Sequence, residues 1–181
     1  MKSKTEVIRQ QLAHLRVLDL GGAGYGDEND YEREIRKAWS FARTRTTVDW
    51  SERADFRINL NQLPLPRLAR GQWDITTAFD VLEHLEHPGE VLKWVPTDKL
   101  IVSLPNVLSM VSRRMEQTGY EHLYNFTAYT ATVLLRRSGW RIDRCYYTFG
   151  KWSPLARFIN AAGSILPSRV GTGIMLHCSR I

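Results

Sequence analysis

An apolar strand, Val17 to Leu20, runs without a break into Gly21, Gly22, Ala23 and Gly24, and no other stretch narrows the fold as far. Three glycines among four residues let the main chain turn sharply through positive φ and admit a ligand against bare backbone. A turn of this kind is useful at the carboxyl edge of a parallel sheet, where open α/β folds bind their ligands. It demands a helix next, and Tyr31, Ile35, Ala38, Trp39 and Ala42 provide one apolar face at helical spacing, with Asp27 or Asn29 to cap its start.

The same alternation continues along the chain. RTTVD, FRINL, ITTAF, KLIVSLP, WRIDRCYYTF and GIMLHCSRI read as further strands, and several are short apolar runs of the kind found in parallel sheets covered on both faces. The two prolines of NQLPLPRLARGQ make that stretch a loop. DVLEHLEHPGEVLKWV reads as a short helical turn, a break at Pro88 and a helix with Val91, Leu92 and Val95 facing the sheet. A helix capped by Thr127 and ended by Gly139 follows the fifth strand, and a last helix precedes the closing strand. With 181 residues, no repeat and no linker, residues 1–181 are expected to form a single domain.

Composition excludes several classes. No apolar run approaches the roughly 20 residues of a membrane helix, so no membrane span is expected, and residues 1–11 lack a secretory leader; the expected location is cytoplasmic. Cys145 and Cys178, far apart, are expected as two buried thiols in a reducing compartment. The net charge of +6, mostly arginine, suits an acidic or phosphorylated ligand, but scattered arginines without an RNA-binding module argue against a nucleic-acid partner.

Two carboxylates then speak to the ligand. Asp49 ends the second strand, where it can accept both hydroxyls of a ribose, which serves nicotinamide nucleotides and adenosyl sulfonium cofactors alike. Asp19 stands two residues before the first glycine, awkward beside a pyrophosphate but useful near an ammonium group such as that of S-adenosylmethionine.

At this point VLDLGGAG, VDW, INLNQLPLP, FDVLEHLEHPGEVL, LIVSLPN and HLYNFTAYTATVLLRRSGW together resemble the class I S-adenosylmethionine-dependent methyltransferases, in the branch of small domains with a D-V-L-E-H-type segment after the fourth strand. The resemblance covers residues 17 to 140. It implies a Rossmann-like three-layer α/β sandwich with a seven-stranded, mostly parallel sheet of order 3-2-1-4-5-7-6 and an antiparallel last strand. It further implies that Asp19, Gly21, Gly22 and Gly24 line the methionine end and that Asp49 holds the ribose with Trp50 against adenine. Asn59 and Leu60 would meet the adenine edge, and Phe79 and Asp80 would border the transferred methyl. The chain departs from the family's G-x-G-x-G, which appears only with Ala23 and Tyr25 in place of glycines or in a frame slid to Gly22, Gly24 and Gly26. Asn59 stands where an Asp is usual.

Asp80, Glu83 and His84 stand at i, i+3 and i+4, one face of a helical turn at the ligand edge, with His122 later in the chain on the same edge. The set resembles the metal sites of the ubiquinone-biosynthesis O-methyltransferases and of the plant-type small-RNA 2′-O-methyltransferases, which implies Mg or Mn. Without metal, His84 or His122 can act as general base, with Tyr124 positioning the acceptor. Residues 105–126 and 151–169 should wall the acceptor pocket, with Arg113 or Arg114 favoured over Arg136 and Arg137 as clamp for an acidic group. Leu155, Phe158, Ile159, Ala162, Ile165 and Leu166 form a stripe read chiefly as packing. The short stretch before the first strand leaves an open pocket, suited to a bulky or conjugated acceptor or to a homodimer that closes the site.

The leading function is methyl transfer to oxygen or nitrogen of a small or conjugated metabolite. Its rivals are a metal-assisted RNA 2′-O-methyltransferase, a nicotinamide-dependent oxidoreductase, and a cofactor-binding but catalytically inactive partner protein.

Overall fold

The computed structural model describes residues 4–24, 30–109, 122–148 and 171–181. Asp27, Asn29, Tyr25, Arg113, Arg114 and the stripe from Leu155 to Leu166 lie outside the described residues, as does the expected last helix. Helix α1 (Lys4–Gln11) precedes β1 (Arg16–Leu20), α2 (Asp30–Trp39), β2 (Thr44–Asp49), β3 (Phe56–Arg57), β4 (Ile75–Phe79), α3 (Pro88–Trp94), β5 (Lys99–Pro105), α4 (Ala128–Arg137), β6 (Trp140–Thr148) and β7 (Gly173–Arg180). Short 3-10 turns follow β1 at Gly22–Gly24 and β4 at Leu82–His84.

The seven strands form one sheet in the order β3-β2-β1-β4-β5-β7-β6, with β7 antiparallel to both neighbours and the other pairings parallel. This is the order that the family resemblance implies. β1 is central on the ligand side, with Asp19 in register with Thr47 of β2 and Thr77 of β4.

Side chains alternate between two cores. On one face Leu18, Leu20, Val48, Ala78, Val102 and Leu176 pack against Val91, Leu92 and Val95 and against Ala131 and Leu135 of α4. On the other, Val17, Ile75, Phe79, Ile101 and Met175 meet Val7, Ile8 and Leu12 of the α1 region and Ile35, Ala38 and Trp39 of α2. The apolar periodicity of α2 and α3 is what these faces use.

The caps explain the length of α4. The Thr127 hydroxyl accepts from the Thr130 amide while the Thr127 amide donates to Thr130 Oγ1, and Gly139 leaves the helix at φ +86. The expected turn, break and helix are all present, and Pro88 opens α3, where its missing N–H costs nothing.

Two expectations need correction. FRINL yields a strand of only two residues, because Asn59 Oδ1 accepts from the Asn61 amide and turns the chain away. Cys178 is buried, but Cys145 is exposed: it lies on β6, one of the sheet's two edge strands, which among the described residues pairs with β7 alone.

Candidate functional site

The glycine turn leaves β1 at Gly21, which has φ +69 and donates its amide to Val48 O at 2.8 Å. A Cβ at Gly21 would come 2.4 Å from Val81 Cγ2, and one at Gly22 would come 2.0 Å from Asp19 Oδ2. Both glycines are therefore required by close packing of the chain on itself. Asp19 is 1% exposed. Its Oδ1 accepts from Thr77 Oγ1 at 2.6 Å, and its Oδ2 accepts from Arg45 Nε at 2.9 Å and Nη2 at 2.7 Å. The charge that the sequence argument offered to a ligand's ammonium is thus matched within the chain. Arg45 escaped the sequence reading; the signal was present in the alternation of Arg45, Thr47 and Asp49 on one face of β2.

Asp49 ends β2 with its carboxylate 8% exposed, and Oδ1 accepts from the Ser51 amide at 3.1 Å. Among the described residues that is the one hydrogen bond its side chain makes, so Oδ2 is open to a hydroxyl donor. Trp50, next in the chain, is 74% exposed and offers a flat face beside it. Asn59 is exposed with its amide oxygen committed to its own turn, and Leu60 packs into the core. Phe79 is buried against Trp39, ring centroids 6.1 Å apart.

Asp80 has φ +55, an uncommon conformation for a residue other than glycine. Its amide donates to Ser103 O at 2.9 Å and its Oδ1 accepts from Ser103 Oγ at 2.8 Å, so β5 fixes it at both ends. Glu83, His84 and His122 form a separate cluster, whose ligating atoms all lie within 4.8 Å of one another; Asp80 is not a member. What assembles them is main-chain bonding: Glu83 O accepts from the amides of Leu123 at 2.8 Å and Tyr124 at 3.2 Å, which brings the residue before them against the turn after β4. The two imidazoles meet edge to face, centroids 4.8 Å apart. The Tyr124 hydroxyl donates a hydrogen bond to Glu86 O at 3.0 Å.

The donor set fits a divalent cation. Ligands at about 2.0–2.2 Å from one ion lie within about 4.4 Å of each other, close to the spacing found. With Asp80 held by Ser103, one buried carboxylate and two imidazoles remain, a mixture that suits Mn better than the all-oxygen preference of Mg. A groove of about 460 Å³ opens next to this cluster between the start of α3 and α4, lined by Glu86, Pro88, Tyr124, Phe126, Leu134 and Arg137. None of Asp49, Glu83, His84 and His122 lines it.

No family model matches the chain, and no curated protein does. Solved structures do share its fold. A SAM-dependent methyltransferase from Thermotoga maritima superposes with TM-score 0.67 at 16% identity over 99% of this chain and 88% of that one. Magnesium protoporphyrin IX methyltransferase from Synechocystis, solved with bound SAH, gives 0.55 at 16% over 94% and 76%. The small RNA methyltransferase HEN1 gives 0.61 at 15% identity, over 97% of this chain and 24% of HEN1. At such identities the likeness establishes the fold: the chain has the class I S-adenosylmethionine-dependent methyltransferase architecture. No helix among the described residues is long and apolar enough to cross a membrane.

Proposed function

We propose that the chain is an S-adenosylmethionine-dependent methyltransferase that acts on an oxygen of a small or conjugated acceptor, with Glu83, His84 and His122 holding a divalent cation beside it. The observation that carries this reading is the convergence of those three side chains within 4.8 Å at the carboxyl end of β4, the edge that also bears the glycine turn and Asp49. The cofactor, when bound, supplies an electrophilic methyl group. The cation, when bound, favours the ionised form of a coordinated hydroxyl.

The chain's own residues do the rest. Asp49 Oδ2 accepts from the ribose and Trp50 stacks on adenine, while Gly21 and Gly22 give the methionine end bare main chain to lie on. Alignment of nucleophile, methyl and leaving sulfur is the main catalytic task in a direct displacement. Without the cation, His84 or His122 can instead take the acceptor's proton as general base, which keeps an amine as an alternative acceptor of the same site. The antiparallel β7 speaks against a nicotinamide-dependent oxidoreductase.

A second reading, transfer to an RNA 2′-hydroxyl, is supported by the likeness to HEN1 and by the cluster of Glu83, His84 and His122. The modest +6 charge supports the small acceptor instead. Titration calorimetry with S-adenosylmethionine, NAD as comparison and Asp49→Ala as control tests the cofactor. The expected result is binding of the sulfonium cofactor alone, weakened about 10- to 100-fold in the variant. Transfer assays with phenolic acceptors and with RNA 3′ ends, with Mn or Mg, then separate the acceptors. A folded protein that binds no cofactor would mark the site as decayed, and binding of the cofactor without transfer to any acceptor would favour the inactive-partner reading.

A further inference from the structure

Asp19 belongs to β1, but the cation that balances it comes from near the start of β2. In the sheet register Arg45 stands opposite Val17, two rungs short of Asp19, and its side chain runs up the strand toward the ligand edge. There the guanidinium does two things at once. Nε and Nη2 donate to Asp19 Oδ2, and Nη2 also donates to the main-chain oxygen of Gly22 at 2.6 Å. Its flat face lies over the Trp39 indole, 4.6 Å from the ring centroid, which fixes the plane of the fork. A Cβ at Gly22 would lie 2.5 Å from Arg45 Nη2 and 2.0 Å from Asp19 Oδ2, so the glycine is demanded by this grip as such.

The turn is consequently tied to β2 twice, through Gly21 N to Val48 O and through Gly22 O to Arg45. β2 is also the strand that ends in Asp49. We propose that Arg45 is a positioning residue of the cofactor site: it fixes the main chain at Gly22 relative to Asp49, so that the methionine-end turn and the ribose acceptor are held as one unit before any ligand arrives. The proposal rests on the cofactor reading given above. Asp19 acts through Arg45, orienting the fork from below while Thr77 holds the other carboxylate oxygen. Lysine cannot replace the fork, because a single ammonium has no planar pair of donors to span a carboxylate and a carbonyl.

Removing Arg45 alone leaves a carboxylate buried without its cation, which can unfold the protein. The deciding variant is therefore Asp19→Asn/Arg45→Met, which removes both charges, alongside Arg45→Lys, which keeps the charge without the fork. Amide hydrogen exchange at Gly21, read by NMR on ligand-free protein, and the Kd for S-adenosylmethionine are measured on each. In the folded double variant Gly21 is expected to exchange about tenfold faster or more while β5 and β7 amides keep wild-type rates, and Kd rises about tenfold or more. Arg45→Lys is expected to shift both in the same direction by less. Unchanged exchange at Gly21 in the double variant, or full rescue of both readouts by lysine, overturns the proposal. Wild-type protein that binds no S-adenosylmethionine fails the underlying cofactor reading, and the exchange experiment, which needs no cofactor, keeps that failure distinct.

Discussion

Asp19 and Glu83 are both carboxylates at the ligand edge of the sheet, 1% and 0% exposed, and they face different bases. Asp19, in β1, meets the guanidinium of Arg45 and the hydroxyl of Thr77. Glu83, after β4, meets the imidazoles of His84 and His122. A guanidinium is a permanent cation with a fixed fork, so its pairing is closed and builds structure. An imidazole can be neutral, charged or a metal ligand, so a carboxylate facing two of them is suited to exchange a proton or share an ion. One half of the edge is architecture, and the other is equipped for chemistry.

The contrast breaks most readily at Glu83. Glu83→Gln and His122→Ala are each expected to lower kcat for methyl transfer by about 10²–10⁴-fold while leaving cofactor affinity within about twofold. Steady-state kinetics paired with calorimetry checks this; unchanged transfer would place the chemistry elsewhere. The next effect belongs to the Asp19 side. Gly22→Ala must push Asp19 off Arg45 and Thr77, and is expected to cost about 1–3 kcal/mol in urea denaturation. Gly71→Ala, at φ +82 with open space around it, is the comparison and should cost about 1 kcal/mol. The smallest effect concerns the thiols, a closed and an open group on adjacent strands. Burial pushes the Cys178 thiol up to about 12 and raises the Cys145 thiol as well, but Cys145 remains exposed to the reagent. Iodoacetamide on native protein should add one label, at Cys145, with no loss of activity; intact mass and assay decide.

Much of this was legible from local pattern. The strands themselves, α3 with its apolar face and α4 between Thr127 and Gly139 follow from periodicity and capping residues that act within a few positions of each other, whereas the strand order comes from the family resemblance. Glu83, His84 and the later His122 were legible as chemistry-bearing side chains bound for the ligand edge; a partner set by strand register alone was not. Arg45 lies 26 residues from Asp19 and meets it only because β1 and β2 pair in one register. Asp80 looked like a metal ligand by spacing, yet Ser103, on the next strand, holds its carboxylate away from the cluster. The exposure of Cys145 likewise depends on which strand ends the sheet, a property of the assembled order and not of WRIDRCYYTF.

The position of β7 has a consequence for how the molecule is made. It is the last of the seven strands to leave the ribosome, yet it stands between β5 and β6 and supplies both with hydrogen bonds from Gly173 to Arg180. Until it arrives, β5 and β6 each present an open edge, and the nascent chain carries two sticky borders at once. Completion of the sheet is therefore an insertion, late and long-range, and folding yield should depend on how well those borders are shielded during synthesis.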